Sequence, residues 1–164
     1  MTTIAYDGRL AAIDSLVTQG DTKFVEDKTF RFKTNAGKRL VVLGAGRLAD
    51  IQVAVDELRQ DAEVLPKGDY SLLVCGLKDD PVVFEGCDGR PVDTNGRPWV
   101  GGSGQHAALA VLYMGADAPK AVEIACKVDI HTGLPVRVYD TQTRRFRTVR
   151  GGKTTRKKTT PKGS

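Results

Sequence analysis

The order of strand-like and helix-like segments is the feature that most constrains the fold of this 164-residue chain. Apolar residues at helical spacing predict a helix from Arg47 to about Ala62, and small residues predict another from Gln105 to about Met114. Asp117-Ala118-Pro119 is typical of the start of a third helix, which runs to about Ile130. Because strands lie in groups around these helices, the order disfavours a βαβ repeat and favours an α+β fold with antiparallel sheets.

The predicted strands are short segments bounded by turn residues. A turn at Asp7-Gly8 separates the first two strands, and Asn35-Ala36-Gly37 forms the predicted turn of a hairpin. The predicted strands cover residues 2–6, 9–15, 30–33, 39–43, 70–77, 82–85, 97–100, 134–139 and 146–149.

Charge divides the chain into a neutral part and a basic part. The formal net charge is +5, and residues 151–164 contain five basic side chains and no acidic one, so residues 1–150 are neutral overall. We therefore expect one domain over residues 1–150 and a disordered tail over residues 151–164. A neutral domain argues against a nucleic-acid platform, which leaves the tail as the segment that could bind nucleic acid.

The sequence contains no signal for export or membrane insertion. No apolar run approaches the ~18 residues of a membrane span, and charged residues at positions 7, 9 and 14 argue against a signal peptide. Three cysteines without a CxxC pair are typical of reduced thiols, and the two histidines do not have zinc-binding spacing. We expect a cytoplasmic protein with no membrane partner and no metal site.

The first two residues suggest a nucleophile. Initiator methionine is normally removed when the next residue is small, and Thr2 is small. A terminal threonine has a hydroxyl that can attack and an α-amine, with a pKa near ~8, that can act as its general base.

A glycine-rich segment allows an alternative interpretation. Residues 44–49 match GxGxxA, the dinucleotide-binding pattern, after an apolar strand and at the start of a helix. That site requires a second parallel strand ending in an acid about ~20 residues later. Glu63 lies near that distance but at the end of the predicted helix, which argues against a nucleotide site.

Several short motifs occur in the order found in one family of hydrolases. They are Thr2-Thr3-Ile4, residues 10–18, Asp27-Lys28-Thr29-Phe30, residues 44–50, Gly102-Ser103-Gly104 and Asp129-Ile130-His131-Thr132-Gly133. With them the chain resembles the proteasome β-subunit and HslV-like family of N-terminal nucleophile hydrolases, which are threonine peptidases. The resemblance implies a four-layer αββα sandwich, with two antiparallel sheets between helical layers.

By this resemblance, Thr2 is the nucleophile and its own amine is the base. Lys28 would favour the deprotonated amine and hydroxyl through its positive charge, and Asp14 would pair with Lys28. Lys23 and Lys33 are alternatives for the lysine, but the apolar alternation that follows Lys28 favours Lys28.

The resemblance also implies an oxyanion donor and a hydrogen-bonding shell. The backbone N–H of Gly46 would donate to the developing oxyanion. Ser103, Asp129 and Thr132 would orient the amine. Simpler interpretations are a helix cap for Ser103, which we expect in any case, and a helix-terminal turn for Asp129 and Thr132.

The substrate-binding residues implied by the family surround the nucleophile. The Thr18 and Gly46 backbones would pair with an extended peptide. The pocket for the residue before the scissile bond would be lined by Val17, Glu26, Gly44 and Leu48, with Gly44 leaving it roomy and Glu26 favouring a basic or polar side chain.

The family implies no required cofactor and a self-assembling ring that meets an AAA+ unfoldase. It can hold a monovalent cation on backbone carbonyls, for which Thr132, Pro135 and Val138 would be the counterparts. Only about residues 60–69 separate the first helix from the next strand, so a second helix of that family is expected to be missing. This motivates a second hypothesis, a catalytically silent structural or assembly protein, and the basic tail motivates a third, a nucleic-acid adaptor.

Overall fold

The computed structural model describes residues 2–151, of which strands hold 37% and helices 21%. The first sheet contains, in spatial order, β10 (Trp99–Gly102), β1 (Thr3–Tyr6), β2 (Leu10–Ile13), β11 (Val136–Asp140) and β12 (Arg145–Val149). The second contains β5 (Thr29–Lys33), β6 (Arg39–Gly46), β7 (Tyr70–Cys75), β8 (Val82–Glu85) and β9 (Pro91–Asp93). A separate hairpin joins β3 (Leu16–Gln19) and β4 (Thr22–Val25), and the helices are α1 (Leu48–Arg59), α2 (Gln105–Tyr113) and α3 (Ala118–Val128).

The apolar core has three parts. Helix α1 packs on the second sheet through Ile51, Val55 and Leu58, which recur at helical spacing. The two sheets pack on each other through residues such as Ile13 and Leu73. Helices α2 and α3 cover the first sheet mainly with small side chains, including Ala108, Ala118, Ala121, Val122 and Ala125.

The prediction of a four-layer αββα sandwich is wrong. The described residues form three sheets instead of two, and they contain far more strand than helix. Helix α1 is the one described helix on the second sheet, because residues 60–69 do not form another helix. That segment packs as a loop instead: Leu65 is buried, and its N–H donates to the carbonyl of Gly89 over 2.8 Å.

Two strand regions were absent from the sequence prediction. The β3–β4 hairpin has a half-buried strand and a fully exposed one, so its residues show no strong alternation between apolar and polar types. Strand β9 is only three residues long and lies at the edge of its sheet. Both regions bury too little apolar surface to produce a clear period-2 pattern.

The N-termini of α3 and α2 differ in how well the capping predictions hold. Helix α3 begins as predicted, with the Asp117 carboxylate accepting from the Lys120 N–H and Pro119 in the first turn. The capping role expected for Ser103 is wrong, because Gly104 is the N-cap of α2 and no side chain caps that helix. The Ser103 hydroxyl donates instead to the Asp129 carboxylate.

The sheet pairing also excludes the nucleotide interpretation of residues 44–49. Strand β6 pairs with β5 and β7, and both pairings are antiparallel, so the parallel neighbour required by that pattern is missing. Within residues 2–151, no helix is long and apolar enough to cross a membrane. Except for Gly151, the predicted basic tail lies outside the described residues, so the domain boundary at residue 150 stays a prediction.

Candidate active site

Thr2, Lys28 and Asp14 form a connected chain of hydrogen bonds. The Lys28 ammonium donates to the Thr2 hydroxyl over 2.9 Å and to an Asp14 carboxylate oxygen over 3.1 Å. Thr2 precedes β1, Asp14 follows β2, and Lys28 precedes β5, so two sheets contribute. The Lys28 side chain is 11% exposed and that of Asp14 is fully buried. The ammonium is therefore held between a buried anion and a hydroxyl at the edge of a cavity.

Asp14 is fixed from several sides. Besides Lys28, its carboxylate accepts from the backbone N–H of Thr3 at 3.0 Å, of Leu16 at 3.2 Å and of Gly133 at 3.0 Å. A buried carboxylate with this many donors has its charge compensated and cannot rotate freely. Asp14 therefore sets the position of Lys28 relative to Thr2.

Burial changes the acidity of Lys28. Removal of its ammonium from water lowers the pKa of Lys28, and this effect outweighs the Asp14 charge and hydrogen bond, which favour the protonated form. A lysine with a lowered pKa gives up its proton more readily than one on the surface.

Gly46 lies at the end of β6, beside this cluster. Its φ is +124°, and a Cβ there would lie 2.3 Å from the Asp69 carbonyl oxygen and 2.7 Å from the Tyr70 Cα. Only glycine fits both this conformation and this close approach of two chain segments. The backbone of Gly46 therefore borders the cavity without any side chain to block it.

A cavity of about 220 Å³ opens beside Thr2. All five residues predicted to bind substrate line it, together with Lys28 and Gly46. Those five are Val17, Thr18, Glu26, Gly44 and Leu48. Leu16, Val17 and Ile51 are among its apolar lining residues, and its volume is large enough for a single side chain of a peptide.

Four further residues line the cavity and are absent from the predicted site. They are Leu16, Asp27, Phe30 and Ile51. Asp27 adjoins Lys28 in the sequence, and Ile51 lies three residues after Leu48 in α1, so both could have been inferred from their neighbours. Gly44 also has a packing effect: a Cβ there would lie 3.1 Å from Ile51 and 3.2 Å from Leu72, so the glycine allows α1 to pack closely on β6.

Asp129, Ser103 and Thr132 form a second cluster. The Ser103 hydroxyl donates to Asp129, and the Thr132 hydroxyl donates to the same carboxylate oxygen over 2.5 Å. The Thr132 hydroxyl also contacts the Thr3 hydroxyl at 2.7 Å. Burial disfavours the charged form of Asp129, but these hydrogen bonds and the His131 N–H outweigh it and lower the pKa of Asp129.

The second cluster is connected to Thr2 through the backbone. The Ser103 N–H donates to the Thr2 carbonyl over 2.9 Å, and the Gly104 N–H donates to the Thr3 hydroxyl over 3.0 Å. A Cβ on Gly104 would lie 2.3 Å from that hydroxyl oxygen. Thr3 and Gly104 therefore help to hold Thr2 beside Lys28, and neither is among the predicted site residues, although both lie in motifs quoted for the family.

The monovalent cation expected on the backbone carbonyls of Thr132, Pro135 and Val138 stays a prediction. Val138 lies inside β11, which is paired with β2 on one side and with β12 on the other. In a strand with neighbours on both sides, a backbone carbonyl accepts a hydrogen bond from an N–H group of a neighbouring strand.

Comparison with known proteins identifies the fold. No protein-family model and no curated protein matches the chain. Among solved structures, the chain is similar to Anbu from Hyphomicrobium sp. strain MC1, with a TM-score of 0.64 and 14% identity over 92% of this chain and 88% of that one. It is also similar to the Anbu (Gly-1) mutant from the same strain, with a TM-score of 0.63 and 15% identity over 92% and 87%.

These matches correct the predicted relationship. The chain shares the fold of Anbu, whereas the sheet-rich topology is inconsistent with HslV. The HslV-like assignment is therefore wrong. At 14–15% identity the comparison establishes the fold alone.

Proposed function

We propose that this protein is a threonine-type peptidase in which Thr2 becomes the nucleophile once the peptide bond before it is cut. The observation that carries the proposal is the contact of the Lys28 ammonium with the Thr2 hydroxyl, together with the buried Asp14 that holds the ammonium in place. The proteasome-related fold of Anbu supports the same conclusion.

In the proposed reaction, the Thr2 Oγ attacks the carbonyl carbon of an extended peptide and loses its proton to the Thr2 amine. The carbonyl oxygen becomes an oxyanion, to which the Gly46 N–H is proposed to donate. The protonated amine then gives its proton to the leaving nitrogen, which breaks the C–N bond and leaves an ester on Thr2. A water molecule, deprotonated by the amine, hydrolyses this ester and restores the hydroxyl.

Lys28 is proposed to assist every step at the hydroxyl. Its positive charge and hydrogen bond stabilise negative charge that develops on the Thr2 Oγ. Asp129 with Ser103 and Thr132 would fix the start of β1 and so orient the new amine. All of these groups belong to the chain itself, so the proposed reaction requires no cofactor.

The test combines intact mass with covalent labelling. Mass spectrometry of the purified protein shows whether Thr2 is the first residue, and a threonine-directed epoxyketone should then add to Thr2. We expect one adduct, mapped to the N-terminal peptide, and a matching loss of peptide hydrolysis. A protein with a free Thr2 that neither labels nor cleaves peptides would contradict the proposal and favour a silent structural role.

Replacement of Lys28 by methionine should lower the rate of hydrolysis by about 10²–10³-fold, the size of effect seen when one hydrogen-bond donor to a developing oxyanion is removed. The effect should appear mainly in kcat, because the hydrogen bond strengthens as charge develops on the hydroxyl. Lys23→Met provides the matched control, since Lys23 is exposed on β4. Equal activity of the two variants would exclude a role for Lys28.

Glu26 should direct cleavage after basic residues. Its carboxylate lines the cavity and has no hydrogen bond or ion pair within residues 2–151, whereas Asp27 already accepts from Thr29 and lies 3.7 Å from Arg137. A basic side chain in the cavity would form a charge-assisted hydrogen bond with this carboxylate. We expect Glu26→Gln to lower kcat/KM for arginine peptides about tenfold, with leucine peptides unchanged.

Two measurements check the interpretation of Glu26. Glu63→Gln removes a carboxylate from the exposed loop after α1 and should leave the preference unchanged. Cleavage of tyrosine or leucine fluorogenic peptides by the unmodified protein, with none after arginine, would contradict a basic preference.

The remaining sequence predictions concern partners and location. A homo-oligomeric ring, an AAA+ unfoldase, nucleic-acid binding by residues 151–164 and a cytoplasmic location all stay predictions. The peptide-hydrolysis experiments above do not depend on any of them.

A further inference from the structure

A second and larger cavity, of about 930 Å³, lies at the other end of the sheets. Strand β6 connects the two cavities: Arg39, its first residue, lines this one, and Gly46, its last, lines the cavity at Thr2. At ~3.3 Å per residue these ends are roughly 23 Å apart. The second cavity is therefore separate from the candidate active site and is independent of the proposed peptidase function.

Positive charge dominates the lining of this cavity. Five basic side chains contribute, Arg31, Lys33, Arg39, Lys78 and Arg144, against a single acidic one, Asp79. Within the described part of the chain, only Lys78 among the five has an ion-pair partner, Asp93 at 3.9 Å. A concave surface with several uncompensated cations concentrates anions.

Sheet register brings two of these charges together. Lys33 of β5 is directly opposite Arg39 of β6. Side chains in directly opposite positions point to the same face with Cβ atoms about 4.5–5.5 Å apart, and like charges there are destabilising. An anion bound between the two side chains would remove this repulsion.

The cavity walls come from both sheets and are held in place by packing. The Arg31 guanidinium lies 4.2 Å from the centre of the Phe146 ring, which connects β5 to β12. Tyr139 and Phe146 contact each other with ring centres 4.8 Å apart. Cys75 and Tyr139 are buried at the base of the cavity. The basic groups therefore extend from a rigid frame.

We propose that this cavity binds a compact polyanion with several linked phosphates, such as an oligophosphate or the triphosphate of a nucleotide. Linked phosphates place several negative charges within a few ångströms, which matches the close pair Lys33 and Arg39. Carboxylates on one face of an extended acidic peptide are about 7 Å apart, and so match this pair less well. Residues 152–164 contain no acidic side chain and are not a suitable occupant.

Titration calorimetry of the full chain with inorganic triphosphate and with ATP tests the proposal. We expect saturable binding of one molecule of either compound with affinities within about tenfold, and weaker binding as salt rises. AMP should bind at least about tenfold more weakly, because it offers a single phosphate. Binding of ATP without binding of triphosphate, or equal binding of a hexaglutamate peptide, would overturn the proposal.

A pair of variants that remove equal charge locates the binding. The double variant Lys33→Gln with Arg39→Gln should lose at least about tenfold in affinity for triphosphate. Lys157→Gln with Lys158→Gln removes two charges from the tail and should retain the affinity. Because the first variant also removes the like-charge repulsion, its melting temperature without ligand should not fall, which checks folding. Equal losses in both variants, or no loss in the first, would assign binding elsewhere.

Discussion

Replacing Thr2 with alanine is expected to abolish peptide hydrolysis, with a fall of at least about 10⁴-fold, because no other group can form the ester. Within residues 2–151 the Thr2 hydroxyl makes one hydrogen bond, with Lys28, so its removal should leave the fold intact. Initiator methionine is removed before small residues, and alanine is small, as threonine is. The variant should therefore lose Met1 to the same extent as the unmodified protein. The measurement is the rate of fluorogenic peptide cleavage together with epoxyketone labelling.

Two variants control this result. Thr2→Ser keeps a hydroxyl and an amine and should retain part of the activity. Thr18→Ala removes a second threonine from the same cavity and should keep both labelling and cleavage, because only its backbone is proposed to bind peptide. Residual labelling in Thr2→Ala would place the nucleophile at another residue.

Replacing Asp14 with alanine should lower the free energy of unfolding by about 3–5 kcal/mol, the usual cost of breaking a fully buried ion pair from one side. Three backbone N–H groups would lose their acceptor, and the Lys28 ammonium would keep its burial without its counter-charge. Urea unfolding followed by circular dichroism measures the change.

A double variant separates the two causes of that loss. Asp14→Ala combined with Lys28→Met removes the buried charge as well, so it should recover part of the stability while leaving the backbone donors unpaired. Asp56→Ala removes a carboxylate from an exposed pair with Arg59 and should cost less than about 1 kcal/mol. A loss of that small size in Asp14→Ala would show that water compensates the buried charge.

Local sequence patterns predicted most of the regular elements. Ile51, Val55 and Leu58 follow helical spacing because one face of α1 is buried, and the alternation in β5 and β6 has the same origin. The patterns failed where burial is low, as in the exposed β3–β4 hairpin. They also gave no information on how many sheets the strands would form, which is why the layered αββα arrangement was wrong.

The candidate site likewise contains residues that local patterns indicate and residues that they do not. Lys28 was preferred over Lys23 and Lys33 because apolar residues alternate after it, and the structure places Lys28 against Thr2 while Lys23 and Lys33 are exposed. Thr3 was not predicted as a positioning residue, since nothing in its neighbourhood indicates that its hydroxyl contacts Thr132, far along the chain.

The sequence by itself determined which segments could be strands or helices, the neutral charge of residues 1–150, and the presence of a threonine that can become terminal. These properties depend on residues close together in the chain. Tertiary structure alone decided that Thr2, Asp14 and Lys28 meet, and that basic residues from both sheets line one cavity. Such contacts depend on how distant segments pair and pack, because the burial pattern within one segment does not specify which other segment covers it.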